Sequence, residues 1–175
     1  MKTRKMIINI LCCLAVCLFA SQAGAFMTGL STEELTRSSD AVIVGGVEDV
    51  ESHWNQDGTT IFTTASVVVE EVVRGVVIQQ RVTVEYEGGE IGEIGLKVSD
   101  VAPLERGERV LLFLKSGKNK RDGRIYNIVG KAQGKYLIGE DGIARKRGFA
   151  LGSRKDVVES ETPLGSLIEK IRNVQ

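Results

Sequence analysis

The sequence has 175 residues, with 23 Lys and Arg against 23 Asp and Glu, three Cys, one His, two Pro and 20 Gly. That length suits one domain with short appendages, and a composition 42% hydrophobic and 26% charged excludes wholesale disorder. No apolar run reaches the roughly 18 to 20 residues of a membrane span, and a single His thins out catalytic and zinc chemistry.

The first 25 residues differ from the rest. Lys2, Arg4 and Lys5 give a positive start, Met6 to Ala20 is an apolar run broken only by Asn9, and Ser21 to Ala25 supplies small residues. Charged start, short apolar middle and Ala-x-Ala end predict a secretory signal peptide over 1–25, cleaved between Ala25 and Phe26. The protein is then secreted or periplasmic. Leu14-Ala15-Val16-Cys17 faintly echoes a lipid-attachment site, but Val16 is bulkier than the small residue such sites need before the Cys. Cys12, Cys13 and Cys17 all lie in the leader, so the expected mature chain has no disulfide. Removing Lys2, Arg4 and Lys5 from the 23 cations leaves 20 against 23 acids, a net charge of −3. That balance argues against nucleic acid as a partner.

Residues 26–40 form an N-terminal segment. In it, Ser31-Thr32-Glu33-Glu34 has the spacing of a capping box, and a short helix over Thr32 to Ser38 follows. Strands are expected next. Ala41 to Trp54 carries AVIVGGV, whose Gly pair signals a bulge or a close backbone approach. Asn55 to Gly58 is a turn cluster. Thr59 to Val73 is long and β-rich, with an apolar phase shift near Val68. Arg81 to Glu87 alternates, with Val82, Val84 and Tyr86 on one face and Thr83, Glu85 and Glu87 on the other. In Arg109 to Lys115, Val110, Leu112 and Leu114 share a face while Leu111 and Phe113 occupy the other, so this strand is covered on both sides. Ile125 to Val129 and Lys135 to Ile138 are short strands. Residues 145–161 read as a linker, and 162–175 as a helix capped by Thr162 with Pro163 at its first position. Leu164, Leu167, Ile168 and Ile171 make its apolar stripe. Short strands with Gly-bearing turns and helices only at the ends predict a mainly β protein. The expected form is a small antiparallel barrel over 41–144, flanked by a short N-terminal and a C-terminal helix.

Four segments carry a family resemblance: Leu35 to Val44 (LTRSSDAVIV), Val69 to Gly75 (VEEVVRG), Gly107 to Leu114 (GERVLLFL) and Val129 to Tyr136 (VGKAQGKY). Together they resemble a family of uncharacterised bacterial secreted proteins. That family is in turn distantly similar to the netrin-like and metalloproteinase-inhibitor barrels, which implies an OB-type fold. Inhibitors of that group chelate the protease zinc through an N-terminal Cys. A mature chain starting at Phe26 without Cys departs from that pattern.

Few constellations carry chemistry. His53 is the only imidazole, so any Ser-His-Asp or Cys-His site must use it, and it sits beside Trp54 before a turn. No G-x-S-x-G, H-E-x-x-H or C-x-x-C occurs. No catalytic residue, metal ligand or cofactor site is expected. Gly88-Gly89-Glu90-Ile91-Gly92-Glu93-Ile94-Gly95 is the most distinctive local feature. Gly88, Gly89, Gly92 and Gly95 supply backbone freedom, while Glu90 and Glu93 repel phosphate. The stretch reads as a mobile acidic loop, as a recognition loop or, together with Glu85 and Glu87, as oxygen ligands for calcium. Lys115, Lys118, Lys120, Arg121 and Arg124 bracket one expected hairpin turn, and Arg145, Lys146 and Arg147 form a second basic group. If folding unites them, they would hold an anionic polysaccharide, lipopolysaccharide or the acidic face of a protein such as an envelope protein. Trp54, Tyr86, Tyr126 and Tyr136 offer rings for sugar stacking or for the core.

These features predict a secreted, non-enzymatic β-barrel binding module of the envelope or extracellular space. Two alternatives stand beside it. One is a structural subunit of an extracellular assembly, self-associating through the Val-rich strands and the last helix's apolar stripe. The other is a hydrolase using Glu85, Glu87, Glu90 and Glu93.

Overall fold

A computed structural model describes residues 27–117, 124–146, 151–153 and 160–175, so the predicted leader lies outside the described chain. The capping box forms as its spacing requires. The Glu34 amide donates to Ser31 Oγ at 3.1 Å, and Glu34 Oε2 accepts from the Ser31 amide at 2.7 Å. Two of the orphan amides at the start of helix α1 (Thr32–Ser38) are thereby satisfied. Leu35 on that helix is fully buried.

Five strands close into a barrel: β2 (Ala41–Trp54), β3 (Ile61–Gly75), β4 (Arg81–Glu87), β7 (Arg109–Ser116) and β8 (Ile125–Ile128). Around the ring the order is β7-β2-β3-β4-β8, returning to β7. Every pairing is antiparallel except β4 with β8, where Thr83 and Val84 lie parallel to Ile125 and Tyr126. Numbered by position in the ring's chain order, this is 1-2-3-5-4-1 with strands 3 and 5 parallel, an OB-type barrel.

Strand β2 bends to serve both sides of the ring. Gly45 approaches β3 so closely that a Cβ there would lie 2.4 Å from the Val68 carbonyl oxygen. The β2–β3 register shifts between Val42 and Ile43, between Val44 and Gly45, and between Val47 and Asp49. The phase change expected near Val68 therefore falls at the unpaired Glu70 and Val73 of β3 and at Glu48 of β2, where extra residues sharpen the twist.

Strand β7 is the branch point. One edge pairs with β2 from Gly46 to Ala41. The other edge is shared: Val110 to Leu112 pair with β9 (Lys135–Ile138), and Leu114 to Ser116 pair with β8. The turn between β8 and β9, Lys131–Gly134, makes the split, entered through Gly130 and Lys131 at φ 64° and 54°. Strand β9 continues outward to β10 (Ile143–Arg145) and β12 (Glu161–Pro163), a flap beyond the barrel. The remaining short pairings are β1 (Met27–Thr28) with β11 (Leu151–Ser153), parallel, and β5 (Gly89–Ile91) with β6 (Ile94–Leu96), antiparallel.

Two cores result, one on each side of β2 and β7. Inside the barrel pack Ile43, Val47, Ala65, Val67, Val82, Val84, Val110, Leu112, Leu114 and Tyr126. Outside it, Val42, Val44, Leu111 and Phe113 meet Leu35 of α1, Tyr136 and Ile138 of the flap, and Leu167 and Ile171 of helix α2 (Leu164–Arg172). Leu167 and Ile171 of the last helix's apolar stripe are thus buried within the chain, with Leu164 and Ile168 partly buried against the same core.

That helix starts later than the sequence predicts. Thr162 lies opposite Ala144 in β12, and Pro163 rather than Thr162 caps α2. The cap makes no side-chain hydrogen bond; the Leu164 amide donates instead to the Gly142 carbonyl at 2.9 Å. Pro163, with no amide to give the ladder, ends the strand and opens the helix. The two ends of the segment read as a linker, Arg145 and Glu161, face each other across β10 and β12.

Two-sided burial has a direct test. Leu111→Ala empties the outer core and Leu112→Ala the inner one, and each is expected to cost about 2–5 kcal/mol in urea unfolding. A cost below about 1 kcal/mol for either would mean that one face of β7 is not packed.

Candidate functional site

The Gly-rich acidic stretch is a hairpin over the open mouth of the barrel. Ile91 pairs with Ile94 across a two-residue turn, Gly92-Glu93, in which Gly92 has φ 61°. The hairpin is fixed at its base. The Gly88 amide donates to the Ile61 carbonyl at 2.8 Å, and Thr63 Oγ1 donates to the Gly88 carbonyl at 2.6 Å. Ser52 Oγ lies 3.0 Å from Thr63 Oγ1 and accepts from the Glu90 amide at 3.3 Å. Gly89, at φ 131°, presses onto this pair: a Cβ there would stand 2.2 Å from Thr63 Oγ1 and 2.3 Å from Ser52 Oγ. The position admits only glycine.

Between this hairpin and segment 97–105 lies a cleft of about 740 Å³. Its apolar surface comes from Val50, Leu96, Val98, Val101, Pro103 and Leu104. Glu87, Glu90 and Glu105 also line it, against the single cation Lys97. Tyr86 forms part of the wall, and its hydroxyl accepts from the Leu104 amide at 3.0 Å. Burial pushes the Tyr86 phenol up from its usual pKa.

The outer wall is pinned from behind. Lys131 pairs with Asp100, whose carbonyl also accepts from the Ala132 amide at 2.9 Å. Lys135, nearly buried, donates to the Pro103 carbonyl and to Glu108 Oε2, the latter at 2.6 Å. Glu108 Oε2 in turn accepts from the Glu105 amide at 2.9 Å. These contacts tie segment 97–105 to strand β9, hence to the barrel's branch point.

Of the recognition-loop residues read from sequence, Gly88, Gly89, Glu90 and Gly95 line the cleft, while Gly92 and Glu93 form the hairpin tip. Of the four acids weighed for calcium, Glu87 and Glu90 line the cleft, while Glu93 lies at the hairpin tip and Glu85 lies elsewhere. Glu85 faces away on the outer surface of β4, 3.7 Å from His53 Nε2. Among the described residues no group of three His, Asp or Glu side chains could hold a metal ion.

The basic groups are not united either. Lys118, Lys120, Arg121 and Arg147 lie outside the described residues. Lys115, at the end of β7, pairs with Asp40 at 3.1 Å, and Arg124 is exposed beside β8. Arg145 sits at the opposite end of β7, since it pairs with Leu137, which pairs with Val110. The two described members of the second basic group, Arg145 and Lys146, are already engaged. Arg145 grips Asp141 with two hydrogen bonds, at 3.0 and 2.6 Å, and its Nε is 3.4 Å from Glu161. Lys146 stacks its ammonium 4.6 Å above the Tyr136 ring. Tyr136 and Tyr126 are core residues, and of the four rings considered for stacking only Trp54 is substantially exposed.

Sequence reasoning missed the cleft's outer wall, Lys97 to Glu105, and the lysines behind it. Asp100 and Pro103 carry no periodic signal, and their partners are 31 or more residues away. The hairpin did leave a trace, the two-residue Gly92-Glu93 turn between Ile91 and Ile94.

No protein-family model matches the chain, and no curated protein matches it.

Two measurements test this geometry. Gly89→Ala forces a Cβ into Ser52 and Thr63 at a positive φ, so it is expected to destabilise by more than about 1 kcal/mol and to speed amide exchange across 89–96. Wild-type stability and exchange in the variant would refute the locked base. The Arg145 guanidinium, helped by the Ile143 amide, holds the Asp141 carboxyl at a pKa of about 2 against the ordinary 3.8. A depressed carboxyl stabilises the fold above its unfolded value, and that contribution disappears as the pH falls through about 2. A carboxyl NMR titration is expected to show this midpoint, returning toward 3.8 in Arg145→Met. An unchanged midpoint in the variant would contradict the assignment.

Proposed function

We propose that this protein is a secreted or periplasmic, non-enzymatic binding module of the OB-barrel type, and that its recognition site is the cleft under the β5–β6 hairpin. The carrying observation is the cleft itself, a cavity of about 740 Å³ at a barrel mouth, with a hairpin base that accepts no side chain at Gly89. A recessed apolar surface with a few placed polar groups is how proteins hold ligands. The leader-like first 25 residues support export, and the four-segment resemblance supports membership of the secreted family named above.

The lining favours a ligand with an apolar body and a cationic group. Val50, Leu96, Val98, Val101 and Leu104 receive the apolar part, and Glu87, Glu90 and Glu105 outnumber Lys97 at the rim. An extended peptide segment of an envelope protein, carrying Lys or Arg beside Leu or Val, has this chemistry. An anionic polysaccharide does not suit a cleft with this charge. Among the described residues, no helix is long and apolar enough to cross a membrane. Assembly through the last helix's stripe finds no support, because Leu167 and Ile171 are buried in the chain's own outer core. Glu87 and Glu90 share the cleft, so the peptide test below also watches for hydrolysis.

The test uses short peptides pairing Lys or Arg with Leu or Val, and counterparts with Glu in place of the cation, followed by amide NMR. Cationic peptides are expected to shift Gly89, Glu90 and residues 96–104, and their acidic counterparts are not. Neutralising Glu90 or Glu105 to Gln is expected to weaken binding up to about fivefold each, the range of an exposed ion pair. Shifts confined to other surfaces, or cleavage of the peptide, would overturn the reading.

A further inference from the structure

The end of the barrel opposite the cleft carries a second feature, independent of the cleft. The β3–β4 connection, 76–80, crosses the closed end of the ring, running from Gly75 beside Ala41 to Arg81 beside Val68. Its second residue, Val77, packs against the inner core. Turning Val77 inward throws its neighbours outward. Val76 is 74% exposed and Ile78 88%, the most exposed of the large apolar side chains described. Isolated surface apolar residues are ordinary, but these two share one protruding turn, braced from within.

Cations surround that turn. Arg74 and Arg81 flank it in sequence. By register Lys115 stands beside it, because Leu114 and Gly75 both pair with Ala41. Arg124 precedes Ile125, which pairs with Thr83, two residues from Arg81. Three already have partners: Arg81 forks onto Glu48 at 2.7 and 3.1 Å, Lys115 pairs with Asp40, and Arg74 donates to the Val174 carbonyl beside the last helix. The far end holds the acids Glu87, Glu90, Glu93 and Glu105 against Lys97. The barrel is therefore charged along its axis, positive around the apolar turn and negative around the cleft.

We propose that the 76–80 turn docks the protein on an anionic phospholipid surface, with Val76 and Ile78 entering the interface and Arg81, Lys115 and Arg124 facing the headgroups. Lipid fits better than a protein partner for a reason of size. A stable protein interface needs about 800 Å² from each side, far more than two side chains on a convex tip supply, whereas a bilayer accepts single side chains wherever they meet it. Each methylene withdrawn from water improves partitioning about fourfold, and cations near an anionic leaflet add attraction that fades within a Debye length. The axial charge separation turns the acidic end, and with it the cleft, away from the membrane.

Tryptophan fluorescence with brominated lipid tests position directly. The full chain has one Trp, at position 54 at the cleft end. Ile78→Trp places a second on the turn, at a site exposed enough to accept it, and Val76→Trp gives an independent copy. On vesicles of equal parts phosphatidylglycerol and brominated phosphatidylcholine, both variants are expected to lose at least half of the added fluorescence, while the wild-type signal from Trp54 is unchanged. The quenching should disappear on pure brominated phosphatidylcholine and weaken with added salt. Unquenched Trp at both positions would overturn the proposal and leave the turn to a protein partner. Equal quenching on neutral vesicles would overturn the role of the cations. Quenching of Trp54 would overturn the orientation.

Discussion

Burial of β2 and β7 on both faces is the constraint on which the rest of the structure depends. Alternation along a strand ordinarily gives one wet face and one dry one. Here Ile43 and Leu112 point into the barrel while Val42, Val44, Leu111 and Phe113 point out, and both sets are dry. The outward set must be covered, and the chain covers it with its two helices and the flap of β9, β10 and β12. Contacts of the last helix and the C-terminal residues with the first helix and with strand β3 hold that cover in place. Lys170 pairs with Glu33, Arg172 with Glu71, and Arg74 reaches the Val174 carbonyl. The ion pairs are exposed and worth little each; the buried Leu35, Leu167 and Ile171 carry the stabilisation.

The cleft inherits its rigidity from the same ladder. Its inner wall is β2, β3 and β4 themselves, through Ser52, Thr63 and Tyr86. Its outer wall is held by Lys131 and Lys135, which stand on the turn and strand that leave β7. Lys135 is nearly buried, and its ammonium is matched by Glu108 and a carbonyl, as a buried charge requires. The long connection between β4 and β7 is thus ordered by side chains reaching out from the barrel. It makes a recess at one end, while the short β3–β4 connection, drawn in by Val77, closes the other.

Much of the frame was legible in the sequence because it rests on local or periodic signals. The Ser31–Glu34 box is a three-residue spacing, and the two-faced apolar run of β7 announces its own double burial. The Gly45-Gly46 pair marked a close approach that the Val68 carbonyl confirms. What escaped depends on long-range partners. Thr162 looks like a cap until Ala144 claims it for a strand. Arg145 and Lys146 look like a surface patch until Asp141 and Tyr136 engage them. The hairpin at 88–96 was visible only as glycine and acid, because what orders it is Ser52 and Thr63, from other strands. The cleft's outer wall is polar and aperiodic, so no local rule pointed to it.

Native-state hydrogen exchange in low urea tests the two-faced ladder most directly. The amides of Val42 to Val44 and Leu111 to Phe113 are expected to exchange only through global unfolding, with the full urea dependence of the unfolding transition. The β5–β6 hairpin should open locally, with a much weaker dependence. Exchange of the Leu111 to Phe113 amides through a lower-energy opening, with the barrel still intact, would show that the outer core is a detachable layer and contradict the account.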